Sequence, residues 1–115
     1  MVWILLDNNP SFGCSWSSYS IISNCEYLKK IVQALELKGK KVGIYSNKEK
    51  WIQIFGNEDF CKDFSNYPLW YSNLNNDPSF SDWNVVRFGG WVRPSIKQFI
   101  KGVNVCNCEI NLNFF

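Results

Sequence analysis

Twice in this chain a short apolar run is followed by a stretch with the period of an amphipathic helix, and that repetition restricts the fold more than any other feature. Val2 to Leu6 is a continuous apolar run closed by Asp7, and the polar, Ser- and Gly-containing stretch from Asn8 to Ser23 reads as a long loop. Leu28, Ile31, Val32 and Leu35 then recur at helical spacing until Gly39, and the capping-box spacing of Ser23 and Glu26 predicts where this helix starts. Lys41 to Ser46 is rich in strand formers, and Lys48 to Phe55 places Trp51, Ile54 and Phe55 on one helical face before Gly56. Pro68 to Ser72, Ser95 to Phe99 and Glu109 to Phe114 read as further strands, with an extended aromatic-rich loop or short helix from Asn73 to Gly90. The predicted order is β, α, β, α, β, loop, β, β.

Strands joined through helices run parallel, because only a crossover connection returns the chain in the same direction, so the expected class is α/β with mainly parallel strands. The C-terminal ends of such strands carry their loops on one rim, where ligands bind. That rim is expected to hold Asp7, Ser46, the Tyr71-Ser72-Asn73 segment, Gln98 and the end of the last strand. Trp51 and Trp91 are assigned to packing.

Size and composition exclude more than they select. The chain has 115 residues, one small domain, against about 250 for a complete α/β barrel. A hydrophobic fraction of 46% with 17% aromatics excludes a disordered chain, and Val2 to Leu6 is too short an apolar run to cross a bilayer. The net charge of +2 comes from scattered lysines without a basic block, so neither nucleic acid nor membrane is expected as a partner. There is no histidine and no paired CxxC, and neither metal nor cofactor is expected. The five cysteines suit an oxidising compartment: Cys14 and Cys25 flank a polar loop they could close, Cys61 and Cys106 are candidates for a long-range bridge, and Cys108 is left over. The alternative is a set of free buried thiols.

Several segments carry a family resemblance in a consistent order. Trp3 to Trp16, WILLDNNPSFGCSW, resembles the glycoside hydrolase family 25 lysozyme segment in which tryptophan is followed by an Asp-x-Glu strand end, Asn-Pro, Gly-Cys-Ser-Trp and a loop to a second cysteine. Val42 to Ser46 and Pro68 to Tyr71 resemble the next two strands. Phe88 to Trp91, Pro94 to Phe99 and Asn111 to Phe115 resemble the closing segment, with its Lys-Gln-Tyr and Val-Asp-x-Asn-Tyr patterns. The likeness covers nearly the whole chain and looks closest to the cysteine-containing lysozymes of protists and nematodes. It implies a partial (β/α)8 TIM-type barrel, about strands 4 to 8, with residues 1–115 as a single incomplete lysozyme-like domain. It also implies a secreted or lysosomal/phagosomal location, although no export signal is visible at Met1. With roughly three strands absent, the sheet is expected to expose two edges, giving either a fragment that folds poorly alone, the preferred expectation, or a half-barrel that pairs with another chain.

Family members hydrolyse the β-1,4 bond between N-acetylmuramic acid and N-acetylglucosamine in peptidoglycan. That reaction passes through an oxocarbenium-like state served by a proton-donating carboxyl and a second stabilising or attacking group. Alignment on Trp3 and Pro10 puts Leu5 and Asp7 at the Asp-x-Glu positions, and Asn111 where the last strand carries aspartate. Leu5 brings no charge. Asp7, a degenerate proton donor at best, retracts the carboxyl by roughly 1.5 Å, and a misplacement of about 1 Å already costs on the order of 10²-fold in rate. Asn111 keeps hydrogen-bonding capacity without the stabilising charge. Tyr45, Trp70, Tyr71, Gln98 and Asn111 are the expected substrate-binding residues, since aromatic faces and amides suit a pyranose. The expectation is a lysozyme-like protein with weak or no activity on peptidoglycan or a related glycan; the alternative is a noncatalytic glycan-binding remnant.

Overall fold

The structure is a computed structural model and describes residues 1–7 and 15–115. The expected loop residues Asn8 to Cys14 lie outside the described residues. Five strands form one sheet: β1 (Val2–Leu5), β2 (Val42–Ser46), β3 (Leu69–Ser72), β4 (Ile96–Val105) and β5 (Cys108–Phe114). Among the described residues three α-helices accompany them, α1 (Ile21–Leu37), α2 (Lys48–Phe55) and the short α3 (Trp83–Val86). Strand order follows the chain, and β1 to β4 pair in parallel, as the helical crossovers require. The closing pair departs from that rule: β4 and β5 are an antiparallel hairpin. Its tight turn places Cys106 and Asn107 at φ 50° and 63°, the left-handed pair that matches hairpin twist. β4 runs well past Phe99 because register shifts after Gln98 and Ile100 absorb Gly102, at φ 74°, without ending the strand.

Local chemistry sets the helix ends. Ser20, rather than Ser23, caps α1, its hydroxyl accepting from the Ser23 backbone N–H at 3.1 Å, so the helix starts earlier than the Ser23/Glu26 spacing predicts. Glu26 instead pairs with Lys29. Asn47 caps α2 by accepting from the Lys50 N–H at 2.8 Å, and Gly56 ends it at φ 87°. The bounds of α2 match the sequence expectation.

One face of the sheet is covered. Leu6, Val42, Ile44, Leu69 and Tyr71 point toward α1 residues Leu28 and Val32 and toward Trp51, Ile54 and Phe55 of α2. Trp51 and Trp91 are buried as packing residues, and the Trp51 indole N–H donates to the Phe60 carbonyl at 2.9 Å, which lets so large an amphipathic ring be enclosed. Asn24 locks α1 to its neighbours by donating to the Trp16 and Ile54 carbonyls.

The cysteine pairing differs from both expected bridges. Cys25 of α1 is bonded to Cys61, with Cα atoms 5.7 Å apart, while Cys106 and Cys108 are free and exposed on the hairpin. Cys25 lies on the buried side of α1, facing the segment after α2, so Cys61 is the partner within bonding reach. Cys25 and Cys61 are therefore engaged with each other rather than with the expected Cys14, which lies outside the described residues, and Cys106.

The opposite face is open, and Gly43 shapes it. A Cβ at Gly43 would lie 2.4 Å from the Trp3 ring, which crosses β2 to meet Trp70 edge-on at 5.7 Å. Gly43→Ala is therefore expected to destabilise the fold by about 1–3 kcal/mol through overpacking, read as a lowered denaturation midpoint.

Candidate functional site

Strand alternation sorts the expected site residues between the two faces. Tyr45, Trp70 and Gln98 share the open face with Trp3 and Ser72, and Asn113 joins them from β5. Tyr45 and Trp70 meet edge-to-face at 4.8 Å, the Tyr45 hydroxyl donates to Gln98 Oε1 at 2.7 Å, and Trp70 Nε1 donates to Asn113 Oδ1 at 2.9 Å. Burial pushes the Tyr45 phenol above its ordinary value, with a hydrogen bond to Ser72 opposing the shift and the Asp7 charge adding to it. Asn47 Nδ2 donates to Ser72 Oγ at 3.0 Å, so the start of α2 is tied to the rim.

Two expected residues are elsewhere. Tyr71 is 0% exposed on the helix-covered face, where its hydroxyl donates to Asp82 at 2.7 Å, so it cannot touch a ligand on the open face. Asn111 lies exposed in the hairpin, its Oδ1 accepting from the Gly102 N–H at 3.1 Å. Because β4 is irregular beyond Gln98, Asn113 rather than Asn111 stands opposite Gln98 and reaches Trp70. Two asparagines two residues apart look equivalent in sequence; register separates them.

At the end of β1, Leu5 is 61% exposed and Asp7 is ion-paired with Lys50 at 3.0 Å. The contact ties the Asp7 side chain at the end of β1 to α2. Leu5 offers neither a proton nor a charge.

Beneath the sheet lies a polar cluster that sequence reasoning missed. Asp82, just before α3, accepts from Tyr71 and from Asn73 Nδ2 at 2.6 Å, and Lys97 Nζ lies 3.2 Å away. Lys97 is 0% exposed, and its ammonium has the Asp82 ion pair but no well-directed hydrogen bond among the described residues. Burial alone would raise the Asp82 carboxyl, yet the hydrogen bonds from Tyr71 and Asn73 and the charge of the ion-paired Lys97 hold it below its ordinary value. Burial, then Asp82, push the Tyr71 phenol far above its ordinary value. The cluster ties β3, β4 and the entry to α3 together.

Elsewhere, a cleft of about 330 Å³ between the Trp16 turn and α1 is lined by Ser15, Trp16, Tyr19, Ser23, Asn24 and Tyr27, away from the open sheet face. Cys25, Cys61 and Asp63 form the one grouping of potential metal ligands among the described residues, but the two sulfurs are bonded to each other and offer no thiolate. No helix of the described residues is long and apolar enough to cross a membrane.

Known proteins resemble this chain in sequence and in fold. A family model described as lysozyme-like protein 1 matches residues 1–99. Counting factor 50 of Dictyostelium discoideum is 37% identical over 115 residues, covering 100% of this chain and 35% of that protein. A Dictyostelium discoideum protein described as probable GH family 25 lysozyme 3 is 37% identical over 114 residues, 99% of this chain and 22% of that one. Among solved structures, a muramidase from Acremonium alcalophilum superposes with a TM-score of 0.73 at 18% identity, covering 98% of this chain and 49% of that one. The chain thus spans less than half the length of these proteins, and the last likeness is one of fold.

Proposed function

The chain belongs to the lysozyme-like protein 1 family, and from that premise we propose that its open sheet face binds peptidoglycan or a related glycan while hydrolysing the β-1,4 linkage weakly or not at all. The sheet corresponds, in this reading, to the later strands of a (β/α)8-type barrel; the fold likeness to a muramidase over 98% of the chain supports it. One observation carries the functional reading. Tyr45, Trp70 and Gln98 stand together as an aromatic and amide surface suited to a sugar, while the strand end beside them holds Leu5 and an ion-paired Asp7 where the reaction calls for two acids. The Cys25–Cys61 bridge supports residence in an oxidising, secreted or lysosomal compartment.

Sedimentation with insoluble peptidoglycan, alongside turbidity of a cell-wall suspension, tests both halves. The expected result is retention on the glycan without clearing of the suspension. Trp70→Ala should weaken retention roughly 2- to 10-fold, the value of one aromatic contact. Vigorous clearing that disappears in Asp7→Ala would refute the loss of catalysis, and failure to sediment would refute glycan binding.

A further inference from the structure

The entrances of the parallel strands form a rim at the opposite end of the sheet from Asp7 and Ser46. Helix α1 leads directly into β2 through Lys38, Gly39, Lys40 and Lys41, and the Lys41 carbonyl accepts from the Val2 N–H at 2.7 Å, so these lysines stand where β1 and β2 begin. The segment before β4 reaches the same rim. The Trp91 indole donates to the Tyr67 carbonyl and the Ser95 N–H to the Leu69 carbonyl, both at 2.8 Å, which places Val92 and Arg93 beside the entrance to β3. With β3 alone between β2 and β4, Arg93 joins lysines distant in sequence across roughly 10 Å of sheet. All four cations are exposed, and among the described residues none is ion-paired. Glu36, the acid in the last turn of α1, accepts from the Tyr67 hydroxyl. The rim also carries the three most exposed large apolar side chains among the described residues, Val92 at 90%, Leu37 at 89% and Phe115 at 80%. Phe115 is there because β5 runs back antiparallel and pairs Phe114 with Lys97 near the start of β4.

We propose that this rim docks the protein on an anionic lipid bilayer, with Lys38, Lys40, Lys41 and Arg93 against the headgroups and Leu37 and Val92 inserted into the interface. Large apolar side chains gathered in water at one end of a molecule mark an interaction site. These protrude from the surface, and a fluid interface can close around both at once. A polyanion would satisfy the cations and gain nothing from Leu37 and Val92, whereas a bilayer with anionic headgroups favours both kinds of residue. Docked in this way, the rim that holds Asp7 and Ser46 points away from the lipid.

Flotation of the full chain with lipid vesicles tests the assignment. The parent is expected to float with vesicles of phosphatidylcholine containing about one-third phosphatidylserine, and to bind phosphatidylcholine alone at least about 10-fold more weakly. Raising the salt from about 0.1 M to about 0.5 M should weaken the anionic binding by a similar factor. Lys38→Gln/Lys40→Gln/Lys41→Gln should weaken it by about 100-fold, roughly 5-fold for each cation, whereas Lys101→Gln, which removes an exposed cation further along β4, should change it by less than about 2-fold. Leu37→Ser/Val92→Ser should cost about 10-fold, with a circular-dichroism melting midpoint close to that of the parent because both side chains are exposed. Equal binding to the two vesicle types, parent-like flotation of the triple lysine variant, or an equal loss in Lys101→Gln would overturn the docking rim. Parent-like flotation of the folded Leu37→Ser/Val92→Ser protein would reduce the rim to a polyanion site and overturn the membrane assignment.

Discussion

Asp82→Ala is expected to destabilise the protein by about 3–5 kcal/mol, because it leaves the fully buried Lys97 ammonium with no counter-charge. It also strips the Tyr71 hydroxyl and Asn73 Nδ2 of their acceptor. Lys97→Met in the same background should recover much of the loss, since removing both charges costs far less than orphaning one. Urea denaturation of the parent, the single variant and the double variant measures this directly, and a loss below about 1 kcal/mol for Asp82→Ala would show that water reaches the ammonium. The cluster also predicts a pH dependence. The native pKa of Asp82 lies below its unfolded value, so its contribution is complete above the ordinary carboxylate value of 3.8 and is lost as the pH falls through the native value. Tyr71 acts at the other end: its native pKa is raised, so its contribution is complete below 10.0 and is lost as the pH rises beyond it. Parent stability should therefore decline at both extremes, and Asp82→Asn should flatten the acid limb.

Removing the Cys25–Cys61 bridge is expected to cost a similar amount. The bridge closes a separation of 36 residues, and restoring that freedom to the unfolded chain is worth about 4 kcal/mol on a loop-entropy model. For a domain of this size, total stability is of order 5–15 kcal/mol, so the loss brings the protein close to the limit of folding. Cys25→Ser/Cys61→Ser, compared with the parent under non-reducing conditions, checks this by denaturation midpoint. The reduced parent should match the double variant, and an unchanged midpoint after confirmed reduction would remove the bridge from the account of stability. Cys106→Ser and Cys108→Ser should leave stability within about 0.5 kcal/mol, because both thiols are exposed and unbonded.

The particular successes and misses share a pattern. Lys48 to Phe55 was legible as a helix to the residue because its cap, apolar face and terminating glycine are all local signals. The start of α1 was displaced because several serines precede it, and only backbone geometry selects Ser20. Enrichment in strand formers identified the strands near Tyr45 and Trp70, but neighbouring residues of one strand point oppositely. Trp70 and Tyr71 thus read alike in sequence and fall on opposite faces in the fold. Lys97 and Asp82 were passed over because a lysine and an aspartate are ordinarily surface residues, and their burial depends on each other.

By itself the amino-acid sequence determined the α/β class, the succession of elements and the family, because each is written in local periodicity or in residue identity. Tertiary structure alone decided that Cys25 joins Cys61, that β4 and β5 close as an antiparallel hairpin, and that Asn113 stands beside Gln98. These are contacts between residues far apart along the chain or across an irregular register. Such contacts are selected by the competition among all the surfaces the chain must bury at once, which no single segment encodes.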